Sequence, residues 1–295
     1  MRGRTLLVYV GVAAVWGSTW AVNRVGLDDL PPLRFAAVRM TIAALLLLPF
    51  ALRGGAWRLL VGEAGPRVAL IGVFQVALPY GLMFVAQQWV PSGLAAVLFA
   101  TFPIWIALLA RGLLPGERLT PAKLASAALG IGGVAVLQLP HLGALEGSGP
   151  LLAGSALMIA ASVVAALANV LVRRHMLAVP PLATTAGQSA VGAVTLGAAS
   201  LLLESGLPGT FTPRALGALL YLAAFGTALT YMGLYWLIPR IPLAAIGAIP
   251  LLDTSVAVFL GAALLDEPLG WHLAGGGALV LLAAALAGIE RKPPG

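Results

Sequence analysis

Asp253 stands inside the apolar stretch Ile249–Leu264, IPLLDTSVAVFLGAAL. On insertion scales a charged side chain at membrane depth costs at least ~3 kcal/mol. A carboxyl there persists if it is paired, hydrated or protonated for part of a cycle. A group that is neutral in closed protein and ionised when water reaches it is what proton coupling or cation binding requires, and Asp253 is the coupling candidate. The plainer alternative is a buried acid held for stability by Thr254, Ser255, Asn23 or Asn169.

Other polar and aromatic side chains recur at helical spacing. Trp16, Thr19, Trp20 and Asn23 fall at i, i+3, i+4 and i+7, one stripe of one helix. In lipid such a stripe faces protein or water, and its indoles suit an apolar or cationic solute. Thr227, Tyr231 and Tyr235 form a second stripe, and Tyr80 and Gln87 share a face of a third helix. Together with Trp105, Asn169, Asp253 and Thr254 these, Tyr235 excepted, are the expected substrate-cavity residues, because small-solute cavities are largely apolar with a few placed polar groups. Helix packing is the competing role for each aromatic. Arg39 sits about eight residues into its span, where its charge needs a partner. Loop carbonyls, Asp28 or Asp29 are the expected ones, with attraction of a carboxylate substrate as the alternative. His141, His175 and His272 lack metal-site spacing, and neither a metal nor a cofactor is expected.

These residues must be positioned by membrane-spanning helices. Of 295 residues, 60% are hydrophobic and 9% charged, too few polar side chains to cover a soluble globule. The chain has no cysteine, which excludes disulfides and thiolate chemistry. Its net charge of +7 is scattered between apolar blocks, so no nucleic-acid partner is expected. A spanning helix needs about 20 apolar residues. Ten blocks qualify: 6–25, 32–52, 68–88, 92–111, 121–139, 151–172, 181–203, 215–237, 243–264 and 269–289. With both termini cytoplasmic, 13 of the 17 Lys and Arg fall on the inner side and only Arg24, Arg34 and Arg214 outside, Arg39 being within a span. The expected fold is an all-α polytopic membrane protein of ten transmembrane helices.

The chain also repeats itself. LPPLRFAAVR (Leu30–Arg39) matches VPPLATTAGQ (Val179–Gln188), which sets Gln188 where Arg39 stands, and Glu117 matches Glu267. Residues 5–139 and 150–289 are therefore two five-helix repeats. Five is odd, so the second enters the membrane inverted, an architecture that places substrate sites near the midplane between the halves. Glu117 and Glu267 are expected to anchor helix turns.

WGSTWAVN at 16–23, LRFAAVR at 33–39 and the paired GE and DE blocks, each followed by a small-residue helix, resemble the drug/metabolite transporter superfamily, EamA type. The resemblance covers essentially the whole chain. It implies a ten-helix carrier of the bacterial inner (plasma) membrane, commonly an exporter of amino acids, related metabolites or toxic compounds. One departure is that Asp253 and Thr254 stand where the family usually has a Glu-Pro pair. The leading expectation is a secondary transporter of small organic solutes, acting outward by alternating access, with proton coupling through Asp253. Its partners are the solute, the lipid bilayer and protons, and it acts as a monomer or homodimer. A lipid or lipid-linked sugar translocator of the same fold is the alternative. A membrane-embedded enzyme would need a base beside Ser162, Ser189 or Ser255, and no histidine lies mid-span to serve. Without a P-loop, transport must draw on an ion gradient, a solute gradient or exchange.

Overall fold

The computed structural model describes residues 3–90, 95, 98–137, 139, 149–264 and 271–289, and every regular element among them is helical. In chain order the elements are α1 (Gly3–Leu27), α2 (Pro32–Arg53), a short α3 (Ala56–Val61) and α4 (Gly65–Ala86), then α5 (Phe102–Leu113), α6 (Pro121–Leu137), α7 (Gly149–His175) and α8 (Pro181–Leu203). They continue with α9 (Pro213–Leu237), the five-residue α10 (Leu243–Gly247), α11 (Ile249–Leu264) and α12 (Trp271–Ile289). Six of them, α1, α2, α4, α7, α8 and α9, are long and apolar enough to cross a membrane. The expected block 92–111 overlaps α5, residues 92–94 and 96–97 lying outside the described ones, and the block 243–264 contains the α10–α11 pair. The unexpected α3 follows Gly55, whose φ of 68° is a left-handed turn that glycine adopts without strain. Residues 140–148, including His141, and Glu267 lie outside the described residues.

The repeat is visible in local geometry. Pro31 (φ −57°, ψ 143°) and Pro180 (φ −58°, ψ 143°) hold the same extended conformation, and each is followed by a proline opening a helix, α2 or α8. A proline in the first turn sacrifices no helical hydrogen bond, because its missing N–H would be unpaired there anyway. Packing repeats as well. α1 lies against α9 and α11 as α7 lies against α4 and α5, while α2 pairs with α8 and α6 with α12. Exchanging the halves maps each of these contacts onto another. At the α6–α12 crossing a Cβ on Gly133 would stand 2.9 Å from the Gly276 carbonyl, and one on Gly276 would stand 2.7 Å from that of Gly133. Only glycines allow that approach.

One end of the bundle is fastened between the halves by two carboxylates. Glu204, buried at the C-terminal end of α8, accepts hydrogen bonds from the Leu33 and Arg34 backbone N–H groups at 2.8 Å each. These belong to the first turn of α2, where helix N–H groups lack internal partners and the dipole favours an anion. Ser200 donates to the same carboxylate at 2.9 Å, and the Arg34 guanidinium donates to the Glu204 carbonyl. Nearby, Asp29 accepts from Thr212 at 2.6 Å and pairs with Arg214 at 3.2 Å, while its own carbonyl accepts from the Thr210 N–H. The Thr212 hydroxyl and then the Arg214 guanidinium hold the Asp29 carboxyl below the usual carboxylate range. Glu117, in the α5–α6 turn, forms a salt bridge with Lys123 at 2.8 Å.

Truncating Glu204 to Ala strands two N–H groups of α2, and we expect a loss of about 2–3 kcal/mol in stability, read as a lower melting temperature in detergent. Asp29 contributes most at pH above about 4, where the unfolded carboxylate is also ionised. Its contribution fades as acidification passes its lowered native value. Asp29→Asn should therefore flatten the acid limb of melting temperature against pH; an unchanged limb would show that the pair does not support the fold.

Candidate functional site

Between the two halves lies a cavity of about 110 Å³. The α1 stripe faces it with all four members, Trp16, Thr19, Trp20 and Asn23. Across from it stand Ala165 and Asn169 of α7, the matched positions in the second repeat. Ser162 and Ala166, the counterparts of Trp16 and Trp20, are small and buried away from the cavity, so symmetric helices enclose an asymmetric space. Tyr80 of α4, Tyr231 of α9 and Asp253 of α11 complete the expected lining. The Trp16 and Tyr231 rings meet edge to face with centroids 5.7 Å apart, a favoured aromatic geometry.

Arg39 also borders the cavity, yet it is only 1% exposed. Its Nε donates to Thr227 at 2.9 Å and its Nη1 to Asn23 at 3.1 Å. Its Nη2 donates to the Tyr80 hydroxyl at 3.2 Å and to the Gly226 carbonyl at 3.0 Å. Asp28 and Asp29, the expected partners, are engaged elsewhere: Asp28, in the turn after α1, with Arg24 of α1 and Asp29 with Thr212 and Arg214. The charge is instead met by neutral oxygens from α1, α4 and α9.

The Gly226 carbonyl is free to accept because α9 slips into a π turn over Ala224–Leu229. There the Thr230 N–H bonds to Phe225, five residues back, and bypasses Gly226. The bypassed oxygen takes Arg39 and, at 3.2 Å, the Trp16 indole N–H. Such bulges concentrate at functional sites. The first repeat has its own, Val73–Ala77 in α4. Pro79 has no N–H to give the Gln75 carbonyl four residues back, and that oxygen faces the Tyr231 hydroxyl at 3.5 Å. Each repeat thus offers an opened carbonyl to the other.

Asp253 is buried at 6% exposure, and its support is sparse. Oδ1 accepts from the Trp20 indole at 3.3 Å and from Thr254 at 3.4 Å, and no cation lies within salt-bridge distance among the described residues. Asn23 is committed to Arg39, and Asn169 donates to the Ala165 carbonyl, so neither holds the acid. α11 continues through Thr254, whose hydroxyl bonds back to the Pro250 carbonyl at 2.9 Å. The proline missing at position 254 is replaced one turn earlier by Pro250, beside the break between α10 and α11.

Four expected residues lie off the cavity wall. Thr227 is fully buried behind it, holding Arg39. Thr254 points back along its own helix. Trp105 donates to Thr101 at 3.0 Å, and Gln87 lies at the C-terminal end of α4. The structure adds Gln75, Pro79 and Met83 of α4, Phe99 ahead of α5 and Phe102 at its start, Leu234, Ile246 and Pro250. Gln75 carried a signal in sequence, a lone amide in the apolar run GVFQVALPY. The apolar additions carried none.

Residues 3–139 and 152–289 each match the EamA-like transporter family. The chain belongs to that family. The chain is 33% identical, over 91% of its length and 87% of the relative's, to the uncharacterized inner membrane transporter YedA of Escherichia coli K12. It is 26% identical, over 99% and 93%, to the uncharacterized transporter YvbV of Bacillus subtilis 168. A solved crystal structure shares the fold, with a TM-score of 0.83, 21% identity and 97% of each chain covered.

In this EamA-like transporter the repeats have diverged where it matters most. Gln188 replaces Arg39 in the second repeat, is equally buried, and accepts a hydrogen bond from Tyr235. Arg39→Leu should leave Asn23, Thr227 and the Gly226 carbonyl short of a donor, at about 1–3 kcal/mol each. We expect poor recovery of monodisperse protein in detergent, and only partial rescue by Arg39→Lys, whose single nitrogen cannot span the planar fork. A leucine variant as stable as the parent would show that Arg39 is no strut.

Proposed function

We propose that the protein is a secondary transporter of small organic solutes in the bacterial inner membrane, working by alternating access between two inverted five-helix repeats. The observation that carries this reading is the cavity between two pseudo-symmetric halves, lined by aromatics, a buried acid and a buried arginine. A carrier needs two conformations of nearly equal energy, and duplicated halves supply them. Amino acids, related metabolites and drugs are the solute classes, and export is the direction; both follow the family resemblance. Proton coupling is assigned to Asp253, the acid that borders the cavity. Uptake and efflux in proteoliposomes across a solute panel, with and without a pH gradient, test the reading directly. No movement of any compound would oppose it.

Three outcomes follow from these assignments. Reporters fused after Arg58, Arg118 and Arg174 should read cytoplasmic and those after Asp29 and Pro208 external; one reversed site breaks the ten-span inverted topology. Trp16→Ala and Tyr231→Ala should slow transport while the protein stays monodisperse, whereas loss of folded protein would assign the rings to packing. Asp253→Asn should abolish proton-driven accumulation while downhill flux at high solute concentration survives. Accumulation equal to the parent's would remove the carboxyl from coupling.

A further inference from the structure

The polar atoms around the cavity are unevenly served. Arg39 makes four hydrogen bonds at 2.9–3.2 Å, so its charge is solvated by the protein itself. Asp253 receives two, at 3.3 and 3.4 Å, both on Oδ1, and none reaches Oδ2 among the described residues. These distances lie at the weak end of the hydrogen-bond range. Two further lining side chains, more than nine-tenths buried, carry amide oxygens without a donor: Asn169 Oδ1 and Gln75 Oε1. The Asn169 orientation is fixed, because its amide nitrogen already donates to the Ala165 carbonyl at 2.9 Å. An unserved buried acceptor is destabilising, and more so if it is charged. The cavity's unmet demand is therefore for hydrogen-bond donors and positive charge.

We infer that the transported solute is a small organic amine, bound as its ammonium against Asp253, Asn169 and Gln75 with its hydrocarbon part on the indoles of Trp16 and Trp20. This deepens the transporter reading and rests on it. An ammonium offers donors and no acceptor, matching three oxygens that need donors. Indole faces attract cations as well as hydrocarbon, so the aromatic stripe of α1 suits either end of such a solute. A wholly anionic solute would leave the three oxygens unserved and would find most of the guanidinium's N–H groups already spent.

Calorimetric titration of purified full-length protein with benzylamine, benzyl alcohol and benzoate separates charge from shape, since the three differ chiefly in one polar group. Benzylamine should bind about tenfold or more tighter than either of the others, the span expected for a hydrogen bond to a charged group. Asn169→Leu and Asp253→Asn should each weaken it about tenfold, whereas Gln87→Leu, off the cavity wall, should not. Asn169→Leu keeps the test open if the Asp253 variant fails to fold. Benzoate binding as tightly as benzylamine would overturn the inference in favour of Arg39 as the ligand. So would stabilisation by sodium chloride but not potassium chloride, which would make the oxygens a metal-cation site, and so would binding of none of the three. Transport of a neutral solute without benzylamine binding would retire the amine and keep the transporter; benzylamine binding without transport of any compound would do the reverse.

Discussion

A guanidinium sealed inside an apolar bundle must find its acceptors within the protein, and much of this structure answers that demand at Arg39. No carboxylate stands beside it among the described residues. Its acceptors come from three other helices, namely Asn23 of α1, Tyr80 of α4, and Thr227 with the Gly226 carbonyl of α9. The carbonyl exists as an acceptor only because α9 slips by one residue into a π turn. Gly226 also leaves the space: a Cβ there would stand 2.9 Å from the Thr19 methyl and 3.0 Å from Arg39 Nη2. One buried charge thus ties the first two helices of the first repeat to the bulged helix of the second. It is also a cost that an apolar residue would not carry, which is reason to connect it with the cavity it borders.

Duplication supplied the frame and divergence supplied the chemistry. Both repeats keep the diproline helix start and a π turn in the third long helix. They differ in what those features hold: Arg39 against Gln188, and Trp16 and Trp20 against Ser162 and Ala166. The clasp at one end diverges in the same way. Glu204 ends α8 over the start of α2, whereas Gly54 ends α2 beside Leu182 at the start of α8 and has no side chain to cap it. Asp29 precedes the first diproline, and Ala178 stands in its place before the second. Carboxylates therefore fasten the two halves at one end, while at the other the matched positions offer none.

The cavity was legible where it was built from a periodic stripe. Trp16, Thr19, Trp20 and Asn23 share one face because 3.6 residues make a turn, and that face had to meet protein or water. Asp253, Tyr80, Tyr231 and Asn169 stood out as polar or aromatic groups inside apolar blocks. Gln87 and Trp105 showed the limit of that reasoning, for they too are polar or aromatic, but Trp105 donates to Thr101 one turn earlier and Gln87 lies at the C-terminal end of α4, off the cavity wall. Arg39's partners could not be read because three of its four acceptors lie 41 or more residues away in sequence, and a backbone carbonyl has no identity in a sequence.

By itself the sequence determined that the chain is helical and membrane-embedded, that it is duplicated, and that its few intramembrane polar residues would gather in the interior, because a bilayer leaves polar groups no other partner. Tertiary structure alone decided which oxygen meets which donor. That choice depends on helix register, on two π slips and on the break before Pro250, shifts of about 1.5 Å per residue that leave hydrophobic periodicity unchanged. They decide that Arg39 is served and that Asp253, Asn169 and Gln75 are not.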